Sequence, residues 1–489
     1  MSGPFRRGLS GTAATLAVAA VLGALFPQIA SAHALIGRQD LPLPQWLFIY
    51  GALVILVVSF VGLLLGWREP RIEGAPKRSA GARLSGFVLS RWTQIVAGAF
   101  SVGLLVLTVW TGLTGVVAPD RNFSITFVFV TFWIGLVLLS VLFGRVFDAL
   151  SPWRAIGRAT SFAFSRLVGQ STAAPLAYPE WLGRWPAMIG IFGFLFLELI
   201  WGQSGFAAAG LQPRDLAIAT LVYSAVTFAA MALFGVDRWH ERGEAFSVYF
   251  GMFASLSPLE VRDGRLLRRR WLSGSTTWSG PAGSLAIVLI AIGGTTFDGA
   301  QEGKLKDPIN SLYERLSDAG ISPVTALRLT NSLYLALTLV VVAAIFWAGI
   351  YGMRIVERKR SAGDLGRLFA HAFIPIALAY VVAHYFSYFV YLEQAQFTFI
   401  LSDPFGTGAN LFGTASAGID YGALNANAIW YVQFGAIVVG HVVALALGHD
   451  RALKIWGNSR DAAWSQVWML VMMMFFSMLG LYLLSQSNG

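Results

Sequence analysis

Six histidines and no cysteine set the chemistry open to this 489-residue chain. Without a thiol there is no disulfide, no iron–sulfur cluster, no cysteine-ligated zinc and no thiol nucleophile. What remains is imidazole working beside carboxylate. His33 follows a charged start (Arg6, Arg7), an apolar stretch from about Leu9 to Phe26, and the small-x-small sequence Ala30-Ser31-Ala32. That is the pattern of an export signal cut after Ala32. Cleavage would leave His33 as the new N-terminus, with a free amine and an imidazole to offer one metal ion. In the plainer reading His33 merely adjoins the cleavage site. His384 stands in the apolar run Tyr380-Val-Val-Ala-His384-Tyr-Phe. A ring placed in hydrocarbon must find a partner or a polar cavity. It reads either as a metal ligand or general base, or as a neutral side chain bonded to a neighbouring helix.

Carboxylates provide candidate partners. Asp298, in Thr296-Phe-Asp298-Gly, and Asp403, in Ser402-Asp403-Pro-Phe-Gly, are each suited to be a hard oxygen ligand or a proton acceptor. Each also fits the commoner use of Asp before Gly or Pro, capping a turn. Asp40 and Glu393 are further candidates. Glu198, inside Phe194-Leu-Phe-Leu-Glu198-Leu, is costly unless it is paired, protonated or in a wet cavity.

The elements that must position these groups are membrane helices. Hydrophobic residues make up 56% of the chain and charged ones 12%, far from soluble composition. The 36 Phe and 17 Trp suit headgroup regions. Segments of roughly 20 apolar residues, the length that crosses the hydrocarbon, begin near Gln45, Gln94, Ser124, Trp185, Asp215, Ser279, Asn331, Arg367, Ala428 and Trp464. The fold class expected is an all-α polytopic membrane bundle of about ten helices. Residues 1–32 form the signal, and 33–489 form one transmembrane domain.

The net charge of +10 does not point to nucleic acid, because its Lys and Arg fall in alternate short loops. Those loops hold Arg68 to Arg91, Arg145 to Arg166, Arg238 to Arg270 and Arg354 to Arg367. The positive-inside rule makes them cytoplasmic and puts both mature termini outside the cytoplasmic membrane of a bacterium. The outer loops at 298–330 and 392–427 are long and rich in polar residues and Gly, as functional loops often are. Two inner stretches, 147–168 and 244–259, read as interfacial or ordinary connecting helices.

This topology sorts the histidines. The outer tier holds His33 and His384, with Asp298 and Asp403. The inner tier holds His240, His371 and His449, with Asp450. His240 and the His449-Asp450 pair read as solvated charged ends. His441 lies mid-membrane, where it suits interhelical bonding. A haem held between His384 and His441 is disfavoured, because their depths differ by about 9 Å at 1.5 Å per residue. There is no Walker loop, nucleophile elbow or zinc-protease helix, so ATP-driven transport by this chain alone is not expected.

Several segments together carry a resemblance. They are His33-Ala-Leu-Ile-Gly with Asp40-Leu-Pro, Phe297-Asp298-Gly299, Ser402-Asp-Pro-Phe-Gly with Asn410-Leu-Phe-Gly-Thr, and Trp430-Tyr-Val-Gln, followed by Gly440-His441 through His449-Asp450-Arg451-Ala-Leu. With these the chain resembles bacterial polytopic proteins labelled fenitrothion hydrolase, from His33 to Leu453. The resemblance implies a membrane-bound activity on organophosphorus triesters. It carries over no catalytic residue.

The expectation is therefore an integral membrane hydrolase acting on a small apolar phosphotriester or thiophosphotriester drawn from the bilayer. A divalent metal, zinc or copper, would be held by His33 and His384 and would activate water. Asp298 or Asp403 would complete the shell or take the proton. One alternative is a transporter or metal-handling permease with an ion path through Glu198, His384 and His441. A second is a copper- or haem-linked redox or assembly protein.

Overall fold

The computed structural model describes residues 44–487, apart from 119–120, 170–173, 203–210, 279, 302, 304, 357–358 and 458. His33, Asp40 and the signal sequence lie outside the described residues. Among the described residues, ten helices are long and apolar enough to cross a membrane: Trp46–Gly66, Arg91–Thr114, Phe123–Phe143, Glu180–Trp201, Pro213–Phe234, Ser284–Gln301, Pro323–Val356, Ala362–Ile400, Asn427–Trp456 and Arg460–Leu483. They are called spans 1 to 10 below. The protein is a multi-pass, all-α membrane bundle, as its composition requires.

Local chemistry sets the helix starts. Ser90, Asn122 and Asn425 accept the amides of Thr93, Ser124 and Ala428, capping spans 2, 3 and 9. Pro186 and Pro213 occupy first-turn positions of spans 4 and 5, where a missing N–H costs nothing.

Spans 6 and 8 form the middle of the bundle. Their apolar stretches are 72% and 78% buried, against 28% for spans 1, 2 and 7. Glycine permits this crowding. A Cβ on Gly293 would stand 2.6 Å from Leu339 of span 7, and one on Gly294 would stand 2.7 Å from Leu195 of span 4. Among the described residues, three stretches wind as π-helix: Phe127–Gly135 in span 3, Leu197–Trp201 in span 4 and Gln396–Ile400 at the end of span 8. Such segments are rare and often mark functional places.

The connecting segments after spans 1, 3 and 5 meet on one face. Arg78, after span 1, pairs with Arg268, after span 5, in a three-stranded antiparallel sheet. Its hairpin turns at Asp263-Gly264, both with positive φ, 50° and 70°. Asp148, after span 3, bonds His240, after span 5, at 3.0 Å. Asp450, in span 9, accepts the amides of Arg71, Ile72 and Glu73. Three of the four loops expected on one side, those after spans 1, 3 and 5, therefore meet there.

Several expectations change. The stretch at 244–259 is not an interfacial helix. Ala245–Ala254 is buried along almost its whole length, and Phe246 and Phe250 interlock with Phe132 and Phe147. The 298–330 loop contains a helix, Lys306–Asp318, and its first residues belong to span 6. His240 is not solvated; only 2% of it is exposed. His449 and Asp450 are equally enclosed, at 2% and 1%. In each case the helix end is roofed by the connecting segments, which adjacent charges in the sequence do not reveal.

Around the sheet, Glu260 receives Lys77 at 2.6 Å and Arg269 at 3.3 Å. Burial alone would raise its pKa, but the two cations outweigh it and hold the carboxyl below its usual range. A depressed folded-state pKa gives stability that is present at neutral pH and lost as pH falls through that value. Glu260→Gln should therefore cost on the order of 1 kcal/mol near pH 7 and nothing once the wild-type carboxyl is protonated. Melting curves of both proteins from pH 7 down to 3 check this, and a gap that stays constant would remove the ion pair as its cause.

Candidate functional site

Span 6 ends in Phe297-Asp298-Gly299, one turn before Gln301, so Asp298 projects from a buried helix toward span 8. His384 Nε2 lies 2.8 Å from Asp298 Oδ2. Tyr385 donates its hydroxyl to the same oxygen at 2.7 Å, and Gln301 Nε2 donates to Oδ1 at 3.0 Å. The side chains of His384 and Asp298 are 20% and 16% exposed, so the pair is enclosed but not sealed. A carboxylate on Nε2 fixes the ring's orientation and its tautomer.

The opposite edge of the ring faces Gly299, where an added methyl would stand 3.6 Å from Nδ1. Beside it is a cavity of about 20 Å³, bordered by Thr295, Thr296, Tyr380, His384 and Gly480. Its volume suits one water molecule with polar partners.

Glu198 comes from the π-turn of span 4. Its Oε2 is shielded from solvent and has no hydrogen-bond partner among the described residues. It is within electrostatic range of Asp298, Tyr249, Tyr385 and Tyr388. Two outer-tier candidates, Asp298 and His384, thus lie with Glu198, Tyr385 and Tyr388 in a cluster on spans 4, 6 and 8, with Tyr249 of Ala245–Ala254 beside it.

Asp403 is occupied elsewhere. Its oxygens accept the amides of Thr407 at 2.9 Å and Gly408 at 2.8 Å, in its own loop. Slight burial would raise its pKa, but those backbone amides hold the carboxylate below its usual range. It is a turn residue. Glu393 takes a bond from Thr131 at 3.1 Å, not from the cluster. His441 is fully buried and uses Nδ1 on the carbonyl of Ile437, one turn back in its own helix, at 2.7 Å. His371 does the same with Leu368 at 3.0 Å.

Among the described residues, no three His, Asp or Glu side chains are grouped to hold a metal. Asp298, Asp403 and His384 therefore do not form a ligand shell. A zinc or copper ion on His384 would need donors from outside the described residues, where His33 lies. Tyr385 and Gln301 escaped the sequence reading. Gln301 had a signal, its i+3 spacing from Asp298. Tyr385 had none, since adjacent helix residues point about 100° apart and converge here only because Asp298 enters between them.

No family model, curated protein or solved structure matches this chain.

Proposed function

We propose that the chain is an integral membrane hydrolase of organophosphorus triesters, working from the outer half of a bacterial cytoplasmic membrane. The observation that carries this reading is the Asp298–His384 hydrogen bond inside the bundle, next to space for one water. An imidazole held by a carboxylate is a general base. His384 takes a proton from water, and the hydroxide oxygen bonds to phosphorus. The bond from phosphorus to the aryl oxygen breaks, and the phenolate leaves with the electron pair. Asp298 stabilises the imidazolium, and Tyr385 and Gln301 hold Asp298. Should His33 join His384, a divalent metal held by the two would lower the pKa of the attacking water. The substrate class comes from the resemblance to proteins labelled fenitrothion hydrolase. The outer placement comes from the Lys- and Arg-rich loops after odd-numbered spans.

A second reading has its own support. Glu198, whose Oε2 has no hydrogen-bond partner among the described residues and which is electrically linked to Asp298, suits a proton-coupled transporter or metal-handling permease. One preparation separates the two. Protein in liposomes is given fenitrothion while nitrophenolate absorbance and internal pH are recorded together. Hydrolysis predicts nitrophenolate release with multiple turnovers. Substrate-dependent proton flux with no phenolate would replace the hydrolase by the transporter. Reaction of a tag after Gly408 with an impermeant reagent in intact cells tests the orientation.

A further inference from the structure

A second, larger cavity lies between spans 2, 3, 4 and 5 and the end of span 8, with a volume of about 830 Å³. That is within the size range of small-molecule sites. It opens sideways between helices. Phe100, Val222, Val226 and Phe397 border it and are 61%, 59%, 59% and 64% exposed on the apolar outer surface of the bundle. A molecule reaching it comes from the bilayer.

Its walls are flat rings. Phe123 stacks on Phe127 with centroids 5.3 Å apart, Trp153 stacks on Phe246 at 5.8 Å, and Phe132 stands edge-on to Phe246 at 4.9 Å. Saturated chains pack against any apolar wall, whereas ring faces and edges favour another ring. All three π-helical stretches contribute to the lining, through Phe127, Leu197 and Gln396 among others.

The polar side chains around it are satisfied, with one exception. Ser101, Thr108 and Thr220 donate to carbonyls of their own helices, Thr131 to Glu393, Tyr223 to Glu244, and Trp153 to Ser224. Gln396 is 3% exposed, and its Oε1 has no partner among the described residues. A buried amide left unpaired is expensive, and such groups in native proteins call for an explanation.

We infer that this cavity binds a membrane-dissolved aromatic molecule whose one hydrogen-bonding group meets the Gln396 amide. The site is separate from the Asp298–His384 cluster and does not rest on the hydrolase reading.

The test uses 1-hydroxypyrene and pyrene, added to the full-length protein in phosphatidylcholine nanodiscs, with empty nanodiscs correcting for partition. Energy transfer from protein tryptophan reports binding, Trp153 being part of the wall. Saturable binding is expected, with hydroxypyrene about 5- to 10-fold tighter than pyrene, the range of one net hydrogen bond. Gln396→Leu should bring hydroxypyrene down to the pyrene level without lowering the melting temperature, because it removes an unsatisfied group. Gly193 borders the cavity, and a Cβ there would meet nothing within 4 Å. Gly193→Phe should fill the space and abolish binding of both probes. Binding no greater than in empty nanodiscs, or unchanged in Gly193→Phe, overturns the site. Equal loss of both probes in Gln396→Leu overturns the role of the amide. Co-purification of a phospholipid with the wild type, absent from Gly193→Phe, would make it a lipid site and overturn the aromatic assignment.

Discussion

Asp298→Asn is expected to lower organophosphate turnover by about 10²- to 10⁴-fold, the range for losing an oriented general base. Asparagine has nearly the same shape, but its NH₂ offers a donor and its oxygen carries no charge. The imidazole would then settle in the other tautomer, or lose the anion that stabilises its protonated form. His384→Gln should fall as far, since it removes the base itself. The double variant should be little worse than either single one, because the two side chains act as a unit. Tyr385→Phe removes one of three hydrogen bonds to Asp298 and should cost about 10-fold or less. Nitrophenolate release by purified variants, with melting temperatures beside it, decides the matter. Full activity in Asp298→Asn with an unchanged fold would end the base assignment and return His384 to a purely structural role.

The largest effect on stability is expected at the opposite face. Asp450 Oδ1 receives the amides of Arg71 at 2.5 Å and Ile72 at 3.1 Å and the indole N–H of Trp67 at 3.1 Å. Its Oδ2 receives the amide of Glu73 at 2.8 Å. His449 adds a bond from Nε2 to the carbonyl of Trp67 at 2.9 Å. Asp450→Ala leaves four donors without their acceptor, and each buried orphan costs about 1–3 kcal/mol. A total loss on the order of 3 kcal/mol is expected after relaxation and water entry. Asp450→Asn keeps one acceptor but turns its NH₂ toward an N–H, so it should fall between. Thermal melting in detergent measures this. Equal midpoints for wild type and Asp450→Ala would show that the 67–73 loop is not held by this carboxylate.

The spans were legible because hydrocarbon imposes a length and a composition that few other folds need. Their order and loop charges gave the two faces. The Asp298–His384 pairing was half legible: both residues fell in one tier by depth, but depth says nothing about which helices touch. Span 6 meets span 8 at Gly299, which faces His384, while Gly293 admits span 7 and Gly294 admits span 4, and small residues in an apolar run do not name their neighbour. Asp403 shows the reverse. Asp before Pro and Gly reads most simply as a turn, and the carboxylate indeed accepts the amides of Thr407 and Gly408 in its own loop. At Asp450 the local reading failed. A charged helix end looks solvated in sequence, and its partners lie far upstream in a loop whose backbone amides have no sequence signature. The hairpin at Asp263-Gly264 did carry one, an Asp-Gly pair between alternating residues, which the apolar pattern of the spans overshadowed.

The bond from Trp67 to Asp450 joins residues 383 apart in the chain. A membrane protein is threaded into the bilayer as it is made, first helix first. When span 1 has entered the membrane, the segment after it has no anion to close upon. Eight more spans must be synthesised and inserted before Asp450 arrives. At synthesis rates of roughly 5–20 residues per second, the 67–73 segment waits tens of seconds in an open state. The fold therefore has a late closing step, in which the ninth span completes a structure begun by the first. A ribosome-bound chain that stops after span 8 should carry that segment unclosed, and protease sensitivity there should vanish only when span 9 has entered.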